Sequence, residues 1–396
     1  MTDRAGPEEP PAEGRARSTD RAGPEEPPAE GRARSATRWL FGKRIDLAVF
    51  GGTAAIALLL VVLGGRHGGA AEPEWSWIVG VLLVDVAHVW STAFVVYLDP
   101  AEWRRRPLLY GGAPAALFAG GVALYAAAGA GPFWSAVAYL AVFHFVRQQY
   151  GWVMMYRARN GERDRLGRWL DGATIYSATL YPLVYWHAHL PRQFWWMKPG
   201  DFPYGLPAWT ATAAGWIYLA LLAAYVARAL GQRPISWGKH LIVATTAACW
   251  YVGIVATNSD YTFTVTNVFI HGVPYLALVY VYARSAAREA ESAGGAAARL
   301  LGLADRAGAS PSAGARARLR GLAVFLATLW LVAYVEELLW DRAIWHDREW
   351  LFGEGVDAGG AAVVLVPLLA TPQLAHYVLD AFLWRRSQNP RLGRLL

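Results

Sequence analysis

Cysteine is almost absent from this 396-residue chain, and the single Cys249 excludes an internal disulfide and any cysteine-rich zinc or iron–sulfur site. Charge is scarce too. Asp, Glu, Lys and Arg make up 17% of the residues, against about 25% in an ordinary globular protein. Fourteen of the 67 charges fall within the first 35 residues, so the remainder is poorer still. A water-soluble enzyme of this size needs far more charge to cover its surface, and that class is set aside. What the chain has instead is apolar residues, 55% of the total, with 40 glycines and 20 tryptophans besides.

Residues 2–18 and 19–35 are the same string, TDRAGPEEPPAEGRARS, repeated without change. With almost nothing to bury, residues 1–37 read as a disordered tail, and the tandem copy reads as a duplication of coding sequence. The tail holds no apolar run of the signal-peptide kind, so the first apolar stretch is expected as an uncleaved span. The body between 38 and 386 offers ten stretches of about the 20 apolar residues that a bilayer core requires. They fall near 45–64, 76–97, 108–130, 133–156, 171–190, 208–230, 240–258, 263–283, 320–338 and 360–384. The fold class expected is an all-α, polytopic integral membrane protein of about ten transmembrane helices. Residues 284–318, rich in Ala, Gly and Arg, are expected as a mobile, partly helical linker. Residues 387–396 are expected as a basic tail, and the proline-rich segment from Pro191 to Pro207 as an interfacial aromatic anchor.

Basic residues test the span count, because cytoplasmic loops accumulate Lys and Arg. With ten spans, 25 of them fall on one side and five on the other, six lie in the tail, and only Arg147 sits inside a helix. Both termini are then cytoplasmic, and the membrane expected is a bacterial inner membrane. The arginines alternate between loops and form no contiguous patch, which argues against nucleic-acid binding. Tryptophans such as Trp75, Trp134, Trp209 and Trp340 cluster near the expected helix ends, where indoles favour the interface.

Four of the nine histidines sit at membrane depth: His88 in DVAHVWST, His144 in FHFVRQQYGW, His271 in NVFIHGVPY and His376 in TPQLAHYVLD. Their spans all run from outside to inside. The next cytoplasmic arginine follows after 16, 13, 13 and 9 residues, so at about 1.5 Å per residue the four lie within about 11 Å in depth. Each has a polar neighbour one turn away on its own helix. Asp85 precedes His88, Gln148 follows His144, Asn267 and Tyr275 flank His271, and Asp380 follows His376. Intramembrane ionisable groups mark working sites. The expectation is a metal held by His88, His144, His271 and His376, with Asp85, Gln148 and Asp380 orienting imidazoles or moving protons. Arg147 would offset negative charge, and Tyr275 would supply a phenolic proton or radical. The remaining histidines, His187 and His189 of the HAH triplet among them, read as loop or interfacial residues.

The phrase FHF at 143–145 with the isolated His88, His271 and His376 resembles the membrane β-carotene dioxygenases of the bacteriorhodopsin-related-protein-like family. That resemblance implies a polytopic fold, a non-haem iron bound through transmembrane histidines, and oxidative chemistry on a long polyene. The HxxxH and HxxHH clusters of membrane desaturases and hydroxylases are absent. The function expected is a non-haem iron oxygenase or other oxidoreductase acting on a hydrophobic lipid, polyene or quinone-like substrate, with zinc, copper and haem as other candidates. Two alternatives stand beside it: an ion- or proton-coupled transporter using Asp85, Arg147, Glu336 and the histidines, and a bis-histidine haem protein.

Overall fold

Apolar stretches without internal water contact must close their own backbone hydrogen bonds, and helices do so within one segment. In the computed structural model the described residues are 38–64, 73–192, 202–290, 311–385 and 388–395, and among them there is no strand. Ten long helices follow one another there. They are α1 (Lys43–Gly64), α2 (Glu74–Val95) and α3 (Pro107–Ala128), α4 (Ala130–Arg159) and α5 (Arg165–His189), α6 (Ala208–Gly231), α7 (Trp237–Ala256), α8 (Asp260–Ala287), α9 (Arg316–Trp345) and α10 (Gly359–Leu383). Eight are long and apolar enough to cross a membrane. α4 and α5 are as long but more polar, because α4 carries the HFVRQQY run and α5 carries Asp171, His187 and His189.

The helices divide into a buried set and a peripheral set. α8 and α2 are the most enclosed, and α2 packs on α8, α9 and α10. α1, α3, α6 and α9 leave large apolar side chains outside: Leu108, Trp216, Leu230 and Leu331 are each more than 60% exposed. Such faces suit lipid as solvent. The turn from α3 to α4 is a single residue, Gly129, whose φ of 85° suits glycine. Prolines interrupt α8 at Pro274 and α10 at Pro367 and Pro372, on the same helices as two of the deep histidines.

The stretch 284–318 carries helix at both flanks. Helix continues past α8 to Ala290 and begins again at Pro311, while 291–310 lie outside the described residues. The tail 1–37, and residues 193–201 of the expected aromatic anchor, lie outside them as well. The basic C-terminal segment is docked rather than trailing. Pro390–Leu395 is helical, Leu392 is fully buried, Arg391 pairs with Asp99, and Asn389 donates to Tyr282 on α8.

At the ends that the basic residues place inside, a buried ionic network ties α4 to α7. Arg157 of α4 donates to Asp171 Oδ2 on α5 at 2.5 Å and to Glu162 at 3.1 Å. Lys239 of α7, wholly buried, reaches Glu162 at 2.5 Å and Asp171 at 3.0 Å. Asp164 caps α5 through Gly167 N and takes Arg228 of α6 at 2.7 Å. Removing one member of a buried ionic set strands the others, at a cost of about 3–5 kcal/mol. Asp171→Leu should therefore lower the melting temperature in detergent far more than Arg342→Ala at an exposed position of α9, and equal shifts would refute the network. Asp164 adds a pH signature. Partial burial opposes its ionisation, but Arg228, Arg157 and Gly167 N outweigh it and lower its carboxyl from 3.8 to about 2. Its contribution is present above pH 3.8 and is lost as pH falls towards 2. Asp164→Asn should flatten that part of the stability profile.

Candidate metal centre

α2, α4, α8 and α10 each bring one histidine to the same place. His88, His144, His271 and His376 are at most 5% exposed. Their Nε2 atoms face one another in two pairs: His88 with His271 at 3.1 Å, and His144 with His376 at 3.1 Å. Ring centroids are 4.9 Å apart for His88 and His376, and 5.0 Å apart for His144 and His271. His88, His144 and His376 offer ligand atoms that all lie within 4.8 Å of one another, and His271 adjoins this trio through His88. Nitrogens bound to one ion at about 2.0–2.1 Å stand at most about 4.2 Å apart, so shifts under about 1 Å would close the trio onto a single ion. Cationic imidazoles this close would repel strongly in a dry site, whereas the neutral ring is the ligating form.

Local sequence explains part of this convergence. α2 widens into π-type turns over Trp77–Val86, just before His88, and α8 does so over Thr264–Val268, just before His271. Wide turns of this kind recur at functional sites because they re-aim the side chains that follow. Pro274 cannot donate to Ile270 O, one turn back. In that opened region the carbonyl of His271 accepts from Gln148 Nε2 at 2.7 Å.

Of the outer nitrogens, that of His376 has a hydrogen-bond partner, while those of His88 and His271 have none among the described residues. His376 Nδ1 meets Thr92 Oγ1 at 2.7 Å, and His88 Nδ1 lies 3.4 Å from Asp85 Oδ1 without a formed hydrogen bond. A partner at Nδ1 fixes the tautomer and leaves Nε2 free to ligate. Tyr275 OH donates to Asp380 Oδ1 at 2.5 Å and lies 3.3 Å from Thr92 Oγ1, and Trp384 Nε1 donates to Asp380 at 3.1 Å. Aromatic faces close the outer side: Phe145 stacks on His271 at 3.8 Å, and Tyr377 on His144 at 4.7 Å.

Several expected partnerships take another form. Arg147 does not reach the histidines. It is exposed, donates to Tyr176 OH at 2.5 Å and lies over Tyr150, because position 147 turns to the far face of α4. Gln148 holds the backbone of His271 rather than the ring of His144. Asp380 stands 3.8 Å from His376 Nδ1 and 3.9 Å from His144 Nε2, too far for a hydrogen bond, and Thr92 holds His376 in its place. Asn267 bonds within its own helix, to Phe263 O and Thr266. His187 and His189 are each satisfied by the carbonyl one turn back. Thr92, Phe145, Tyr377 and Trp384 were not singled out from sequence. Thr92, four residues after His88, carried the only usable signal, since it shares that helix face.

A cavity of about 580 Å³ lies beside the centre, with Asp85, Phe145 and Tyr377 between it and the imidazoles. A smaller one of about 190 Å³, between α2, α3 and α10, touches His376 and Thr92 directly. No protein-family model, curated protein or solved structure matches the chain.

If Thr92 holds His376, Thr92→Val should destabilise the protein by about 1–3 kcal/mol by stranding a buried nitrogen. Thr92→Ser should keep most of that stability. Equal melting temperatures for the two variants would show that the hydroxyl contributes nothing.

Proposed function

We propose that this protein is a membrane-embedded, histidine-ligated metalloenzyme, a non-haem iron oxygenase or related oxidoreductase acting on a hydrophobic substrate. The observation that carries the reading is the paired approach of four buried Nε2 atoms on four helices. His88, His144 and His376 would hold the ion, with His271 as the fourth nitrogen. Imidazole suits iron, and four nitrogens leave positions open on a six-coordinate ion. The same reading takes all ten helices as spans in a bacterial inner membrane with both termini cytoplasmic, supported by the 25-to-five division of basic residues. It also extends the resemblance to the membrane carotene dioxygenases.

Bound iron would supply redox chemistry and oxygen activation. The chain's own residues do the rest. Thr92 orients His376 from behind, and Asp85 lies 3.4 Å behind His88, where its charge would favour a proton on Nδ1. Asp380 holds the Tyr275 proton beside Thr92, so a hydrogen-bonded run leads from His376 towards Trp384 at the inner end of α10. Phe145 and Tyr377 exclude water from the imidazoles. Haem fits less well, because axial histidines sit on opposite faces of a flat macrocycle, whereas here the Nε2 atoms approach to 3.1 Å in pairs. The transporter route loses one of its members, since Arg147 turns away from the histidines.

Metal analysis of protein purified in detergent without chelator should find about one iron per chain and no Soret band. His88→Ala and His144→Ala should abolish it. No stoichiometric metal in the unaltered protein, or iron retained by either variant, would overturn the assignment.

A further inference from the structure

The cavity beside the centre has a chemical character that the histidines do not explain. One wall is a tryptophan cluster: Trp134, Trp340 and Trp345 lie with ring centroids 5.3–5.8 Å apart. Five acidic residues line the same space: Asp85, Glu336 and Glu337 lie at membrane depth, and Asp347 lies beside Asp341, whose carboxylate accepts from the backbone N–H groups of Asp347 and Arg348. Glu336 accepts hydrogen bonds from two indoles, Trp90 at Oε2 and Trp340 at Oε1. Indole N–H groups only donate, so this arrangement suits an anionic carboxylate. Asp85 is 7% exposed, and its Oδ1 makes no hydrogen bond. Against these acids the described lining holds one basic side chain, Arg348, which lies over the face of Trp77 and 3.4 Å from Glu74.

Three carboxyl groups sharing an apolar space carry negative charge only at a cost, unless a cation joins them. About 580 Å³ is the size of a small-molecule pocket and far larger than a bare ion requires. Aromatic faces combined with carboxylates are the chemistry that recognises organic cations, and Arg348 on Trp77 is an instance within the chain itself.

We propose that this cavity binds an amphiphilic organic cation, an amine or quaternary ammonium with an apolar body. Its charged head lies among Glu336, Glu337 and Asp85, and its apolar body lies on the tryptophan wall. The further step, that such an amine is the substrate presented to the histidines, rests on the metalloenzyme reading; binding itself does not.

The test uses the full-length protein in lipid nanodiscs, titrated with dodecyltrimethylammonium below its micellar concentration and followed by tryptophan fluorescence. Metal content is measured on the same preparation. The cation should give a saturable signal, with 1-dodecanol and dodecyl sulfate at least about tenfold weaker. Glu336→Gln and Glu337→Gln should each weaken the cation by about tenfold, as expected for loss of a charged contact, and leave the alcohol unchanged. Glu337 is the less buried of the two, so its variant decides the matter if Glu336→Gln fails to fold. Equal binding of the alcohol, or full cation affinity in Glu337→Gln, would overturn the proposal. Iron without cation binding would remove this inference alone. Cation binding without iron would remove the metalloenzyme alone.

Discussion

Two imidazole contacts, His88 with His271 and His144 with His376, hold together the part of the structure on which everything else depends. Each joins helices distant in sequence, α2 to α8 and α4 to α10, and the bonds from Thr92 to His376 and from Gln148 to His271 tie the two pairs to each other. In an apolar surrounding a polar group without a partner costs several kcal/mol. The four rings are therefore constrained to meet one another, a ligand, or the few hydroxyl and carboxyl groups within reach. Thr92, Asp85, Tyr275 and Asp380 are those groups; Thr92 and Asp85 lie behind His376 and His88 at Nδ1, while Asp380 stands 3.9 Å from the inner nitrogen of His144. The centre is thus polar on its own axis and closed by aromatic faces outside it.

Charge is distributed in two opposed ways about this centre. At the ends read as inner, Arg157, Lys239 and Arg228 are matched by Asp171, Glu162 and Asp164, a set that is internally compensated. Beside the centre, Asp85, Glu336 and Glu337 face a cavity whose described lining holds one basic side chain, Arg348. The first arrangement is what structure demands, since its members satisfy one another. The second has an excess of acidic over basic side chains among the described residues, and the proposed cation would offset it.

The helices and the meeting of the four histidines at one level were legible in sequence because each depends on a one-dimensional count: apolar run length, and residues to the next arginine. Rotation about the helix axis was not. Asp380 and Gln148, each one turn from a histidine, were expected to orient its ring, yet Thr92 of α2 holds His376 of α10 and Gln148 of α4 holds the backbone of α8. Same-face spacing identifies neighbours along one helix, whereas the partners of these rings come from other helices. The wide turns over Trp77–Val86 and Thr264–Val268 shift the phase further, and nothing in periodicity signals them. Arg147 shows the same limit, since three residues from His144 was enough to carry it to the far face.

One turn of α2 connects these regions. Asp85 borders the larger cavity, His88 belongs to the centre, Val89 borders both cavities, and Trp90 lines the smaller one while donating to Glu336 in the larger. A molecule in the large cavity meets the imidazoles only past Asp85, Phe145 or Tyr377. A small apolar one reaches His376 directly from the side of α3 and α10. The two approaches are therefore separated by size and polarity, and the wall between them is a single helical turn. Trp90 and Glu336 share a hydrogen bond across that wall, so the carboxylate that borders the large cavity is held by the same stretch of α2 that carries His88.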